Sequence, residues 1–113
     1  MQPVFLEYLY LGIFAIMKEI TSIQNSYVKE LLKLQEKSRE RKKKGLFIIE
    51  GKREISMAIA AEYEFETVLY FEDLISEQEV LHLFNANVHR IVISKEVYQK
   101  LAYRDSTEGI IAV

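Results

Sequence analysis

The spacing of apolar positions changes period several times along this chain. From Asn25 to Lys43 the apolar residues Tyr27, Leu31 and Leu34, with Val28 and Leu32 beside them, share one face of a helix. Asn25 suits the helix start, where a side-chain oxygen satisfies orphan N–H groups. Gly45 suits the end, where a left-handed residue is often needed. An unbroken apolar run follows, "LFIIE" (46–50), bounded by Gly45 and Gly51, which predicts a strand buried on both faces. "KREISMAIAAEY" (52–63) returns to helical spacing through Ile55, Ala58, Ile59 and Glu62. "TVLYF" (67–71) is rich in β-formers. Ser76 and Glu79 have capping-box spacing ahead of Val80, Leu81, Leu83 and Phe84. "VHRIVI" (88–93) predicts a third strand, Ser94 caps a helix carrying Val97, Tyr98 and Leu101, and "GIIAV" (109–113) predicts a fourth.

The order α-β-α-β-α-β-α-β, with short connections, predicts an α/β domain with helices on both faces of one sheet. Right-handed crossovers are expected wherever neighbouring strands run parallel. The 113 residues fit a single domain, without internal repeat, low-complexity stretch or linker. The opening "MQPVFLEYLYLGIFAIM" (1–17) stands apart. It lacks the basic flank and cleavage pattern of a signal peptide, and it is short for a membrane span. It admits three readings: a helix packed on the domain or a partner, a membrane-leaning segment, or a misplaced gene start with Met17 as the true beginning. The apolar final strand, with no polar tail, is what a domain cut from a longer protein would show.

Composition excludes several chemistries. Without cysteine there is no disulfide framework, thiolate metal site or cysteine nucleophile, which fits a reducing compartment without proving one; the expected localisation is cytoplasmic. His82 and His89 are the only histidines and do not make a metal-ligand set. Glycine-rich phosphate loops and the nucleophile elbow are missing too. Glu50 is the one carboxylate singled out, because it ends an apolar strand where α/β proteins often place functional groups. The competing and favoured reading is structural, a carboxylate that pairs with a neighbouring lysine or accepts backbone N–H groups.

Charge changes the picture more. Residues 29–53 hold ten basic and four acidic side chains, net +6, within a chain of net −2. "EKSRERKKKG" (36–45) concentrates them. One reading is a solvated helix end, with cations favourably placed near the C-terminus of the helix dipole. The other is a phosphate grip by Arg39, Arg41, Lys42, Lys43 and Lys44, which would be strongly salt-dependent. Lys33 and Lys37 extend that stripe, and Lys52 and Arg53 are expected to begin the next helix close by. Glu36 and Glu40 weigh against a purely polyanion-binding helix. Tyr103, beside Arg104, is the aromatic best suited to stack on a base, whereas Tyr27 and Tyr98 fit the core.

Three stretches in register carry a resemblance: "ITSIQNSYVKELLKL" (20–34), "GLFIIEGKREISMAI" (45–59) and "VISKEVYQKLAYRDSTEGIIAV" (92–113). Together they resemble the N-terminal substrate-binding domain of SpoU (TrmH-type) RNA 2′-O-ribose methyltransferases, of the SPOUT superfamily. Thr21, Ser22, Gln24, Asn25, Val28 and Lys29 match the opening motif, with Ser26 in place of its proline. Phe47, Glu50, Gly51 and Arg53 match the second. Gly109 keeps the third, although Thr107 and Glu108 stand where Pro and Gln are common.

The resemblance implies a three-layer α/β/α sandwich around a small four-stranded sheet, like ribosomal proteins that bind kinked RNA. It implies rRNA or tRNA as partner, held through Arg39, Arg41, Lys42, Lys43, Lys44, Arg53 and Arg104. No cofactor is expected in this chain. S-adenosylmethionine is implied for a following knotted catalytic domain, and homodimerisation for the full-length protein. The domain is then not catalytic alone, and no membrane is expected. Two other functions compete: a stand-alone protein-interaction or scaffold domain, and a small nucleotide-binding module.

Overall fold

The computed structural model describes residues 19–85, 88–102 and 108–113. The apolar segment 1–17, Tyr103 and Arg104 lie outside the described residues. The elements are β1 (Glu19–Ile20), α1 (Ser26–Glu36), α2 (Ser38–Lys44), β2 (Ile49–Glu50), α3 (Lys52–Ala60), β3 (Val68–Tyr70), α4 (Glu77–Phe84), β4 (Arg90–Ile93), α5 (Lys95–Leu101) and β5 (Ile110–Ala112). The strands form one sheet in the order β1-β4-β3-β5-β2. β4 runs parallel to β1 and β3, whereas β5 is antiparallel to β3 and β2.

Strand alternation builds two cores, one on each face. Ile20, Leu69, Ile91, Ile93 and Ile111 pack with Val28, Leu31 and Leu34 of α1 and Val97, Tyr98 and Leu101 of α5. On the other face Val68, Tyr70, Ile110 and Ala112 pack with Ile55 of α3 and Val80 and Phe84 of α4. Successive residues point to opposite faces, so β3 and β5 bury side chains on both, β4 is apolar on both after Arg90, and the helices cover both sides. This is the expected three-layer sandwich.

Four helix boundaries follow the expected chemistry. The Asn25 side chain accepts from Tyr27 N–H at 2.8 Å. Ser76 and Glu79 form a reciprocal capping box, and Ser94 accepts from Val97 N–H. Gly45 closes α2 at φ 66°.

Three expectations are corrected. The sheet has five strands rather than four, because Glu19–Ile20 adds to the edge beside β4 and Ser94 N–H bonds the Ile20 carbonyl at 3.1 Å. Two residues carry no readable period. The helix expected over 25–43 is two helices, broken at Lys37, whose backbone is extended (φ −121°, ψ 112°). "LFIIE" is not buried on both faces. Only Ile49–Glu50 pair, at the sheet edge, and both are half-buried.

Candidate nucleic-acid interface

The basic run folds into α2, a seven-residue helix with no buried side chain. Its cations are not equivalent. Arg41 turns back on α1, and its Nη1 donates to the carbonyls of Leu34 (2.7 Å) and Gln35 (3.0 Å). These are among the last carbonyls of α1, which have no partner inside the helix. Arg41 therefore closes α1 across the break at Lys37. Lys44 is ion-paired to Glu30, holding that carboxyl below its ordinary range while its own ammonium is held above. Arg39, Lys42 and Lys43 are exposed, and none of them makes an ion pair among the described residues. They carry the accessible positive charge of α2.

The residues singled out in the second and third motifs meet elsewhere. The C-terminal ends of β1, β2, β3 and β4 and the N-terminal end of β5 share one end of the sheet, as the registers require. There Gly51 follows β2 at φ 93°, and its N–H bonds the Ile110 carbonyl at 3.1 Å. α3 starts immediately, with Lys52 and Arg53 exposed in its first turn. Glu108 reaches this start, and its carboxylate accepts from Lys52 N–H. A helix N-terminus favours negative charge, so Glu108 supplies the cap that glycine cannot. Lys52 also pairs with Glu79 at 3.6 Å, tying α3 to α4.

Gly109 supports the same turn. Its N–H donates to the buried Tyr98 hydroxyl at 3.0 Å, and its carbonyl accepts from Phe71 N–H at 2.9 Å. A Cβ at Gly109 would lie 2.6 Å from that of Leu74. Of the opening motif, Asn25 serves as a helix cap and Lys29 is exposed on α1. Glu50 ends the edge strand half-buried, opposite Ile111.

The structure thus separates what the sequence places close together. Gly45, at the end of α2, lines a groove with Phe65 and Val113 at the far end of β3 and β5. From there the chain runs the length of the sheet to Gly51, up to about 20 Å for six extended residues. Arg53 does not extend the stripe of Arg39, Lys42 and Lys43. The same groove presents two exposed aromatics: Phe47, a motif match whose exposure the sequence did not show, and Tyr63, which was not singled out. Phe47 sits inside an apolar run and reads as core, while Tyr63 falls at the end of an expected helix. The charged flanks of "AEYEFE" (61–66) were the available signal for Tyr63.

The remaining chemistry is sparse. Among the described residues no group of three His, Asp or Glu could hold a metal ion, and no helix is long and apolar enough to cross a membrane. His89 is half-buried, and burial followed by the neighbouring Arg90 lowers its pKa.

The profile of the MRM3-like substrate binding domain family matches residues 25–112. Among solved structures, an RNA 2′-O ribose methyltransferase is 35% identical over 83% of this chain and 36% of its own, with a TM-score of 0.71. An rRNA methyltransferase from Sinorhizobium meliloti is 21% identical over 84% of this chain and 35% of its own, with a TM-score of 0.65. The SpoU methyltransferase AviRb from Streptomyces viridochromogenes, in complex with AdoMet, is 19% identical over 78% and 32%, with a TM-score of 0.61. These last two likenesses concern the fold. The chain spans about a third of the length of the solved structures it matches. Among curated proteins none matches.

Proposed function

The chain belongs to the MRM3-like substrate-binding domain family, within the SpoU-type RNA methyltransferases, and from that premise we propose that it holds RNA for 2′-O-ribose methylation by a longer protein. The family match across nearly all of the folded domain carries this reading. The exposed cations Arg39, Lys42 and Lys43 supply a physical means, since each phosphate they neutralise releases counterions. Arg53, at the other end of the sheet, is a second point of contact. The substrate is rRNA or tRNA, and the setting is the cytoplasm.

Methyl transfer and S-adenosylmethionine binding belong to the remainder of the longer protein, which is also where homodimerisation would arise. The residues here do not fit that cofactor. The α3 start is taken by Glu108, and the space in front of Gly109 is filled by Leu74 and Phe71. No catalytic step is assigned to this chain.

The test is RNA affinity measured against salt. Structured RNA should bind the 113-residue chain with an affinity that falls steeply as salt rises. Lys42→Ala with Lys43→Ala should reduce the slope of log affinity against log salt by about 1 to 2. A flat salt dependence in the parent protein, unchanged by these substitutions, would remove α2 from RNA binding.

A further inference from the structure

The groove beside Gly45 indicates how an RNA strand is held at the α2 end, given the RNA-holding role proposed above. Phe47 is 43% exposed and Tyr63 55%, and the two rings form one exposed aromatic pair rather than isolated surface side chains. They meet edge to face with centroids 5.5 Å apart. With Gly45, Ala58, Glu64 and Phe65 they line an open groove of about 210 Å³. Gly45 is also the residue that closes α2, so Lys42 and Lys43 lie within three residues of the groove wall.

We propose that this groove is a base-stacking subsite, in which an unpaired RNA base packs against Phe47 and Tyr63 while Lys42 and Lys43 hold the adjoining phosphates. Cations that track the backbone beside aromatic faces that take the bases are the general means of holding single-stranded nucleic acid. Every base has a π-face, so such a subsite tolerates sequence. Acidic groups border the groove, and they help define what enters it. Glu64 in the wall repels a phosphate but accepts hydrogen bonds from the amino group of a base. Glu66 is engaged by the Tyr27 hydroxyl at 3.4 Å, and Glu62 lies exposed on the same turn. The groove itself therefore selects a base, and α2 selects the backbone. An apolar side chain of a protein partner is the rival occupant, and it would leave the neighbouring lysines without a role.

The experiment uses the full chain carrying Phe47→Trp as a fluorescent reporter. Two single-stranded RNAs of equal length are compared, one of mixed sequence and one abasic throughout. Base-bearing RNA should quench the tryptophan, whereas the abasic backbone should bind through the lysines without quenching. Phe47→Leu and Tyr63→Leu keep the groove apolar and should still fold. Each should weaken base-bearing RNA by about 5- to 150-fold, the worth of one stacked base. Abasic RNA should bind both variants as it binds the parent.

Equal affinity of the leucine variants and the parent for base-bearing RNA would overturn the subsite. If Lys42→Ala still weakened binding in that case, the RNA-holding role would stand without it. Failure of the parent chain to bind either RNA at low salt would remove both.

Discussion

Gly45 and Gly109 share a left-handed backbone but differ in what surrounds them. At Gly45 (φ 66°) an added Cβ would meet nothing within 4 Å. At Gly109 (φ 75°) it would strike Leu74 and crowd the Phe71 carbonyl at 3.3 Å. Gly45→Ala should therefore cost only the conformational penalty, about 1 kcal/mol. Gly109→Ala adds a steric penalty and should cost about 2 to 4 kcal/mol. Urea denaturation of the two variants measures the difference. Tyr70 offers a pH test at the same scale. Burial, and then the hydrogen bond and charge of Glu77, push its hydroxyl up to about 12. The fold thus favours the protonated phenol relative to an unfolded value of about 10. That contribution is full below about pH 10 and is lost as pH rises towards 12. Tyr70→Phe should remove this alkaline loss, as seen by chemical denaturation at stepped pH.

At the level of elements, the break at Lys37 is the most consequential local feature. The composition of "KELLKLQEKSRERKK" is helix-favouring throughout, and nothing in its period marks an interruption. The break is stabilised by side chains of α2 folding back on α1, Arg41 reaching the carbonyls of Leu34 and Gln35 and Lys44 reaching Glu30. Arg41→Ala should lower stability by about 1 to 2 kcal/mol, because it removes a charged donor from partly buried carbonyls. Thermal unfolding followed by circular dichroism would register the loss. Ser76→Ala should cost about 1 kcal/mol by the same measure, since it dismantles the capping box of α4. This second effect was legible in the sequence, because a capping box is defined over four consecutive residues. The role of Arg41 was not, because its reach follows from how two helices pack.

Across the whole molecule, the cations fall into separate groups. Lys42 and Lys43 stand at the end of the sheet that carries Gly45, Phe65 and Val113, and Arg53 stands at the end that carries Gly51 and Gly109. Sites this far apart are expected to act independently. In a double-mutant cycle on RNA affinity, the free-energy effects of Lys42→Ala and Arg53→Ala should add within about 0.5 kcal/mol. A larger coupling would mean that contact at one end of the sheet alters how the RNA is held at the other.

The chain order by itself determined the alternation of helices and strands, most of the caps, the glycine turns and the family resemblance. Those features depend on neighbours a few residues apart, where spacing and residue type decide conformation. Only the tertiary structure decided that β1 joins the sheet, that β2 is an edge, and that Arg41 and Lys44 are engaged while Arg39, Lys42 and Lys43 are exposed. It also turned Phe47 outward beside Tyr63 and set Arg53 apart from the basic helix. Each of these depends on how elements pack against one another, and a one-dimensional pattern does not contain the direction in which a strand leaves the end of a helix.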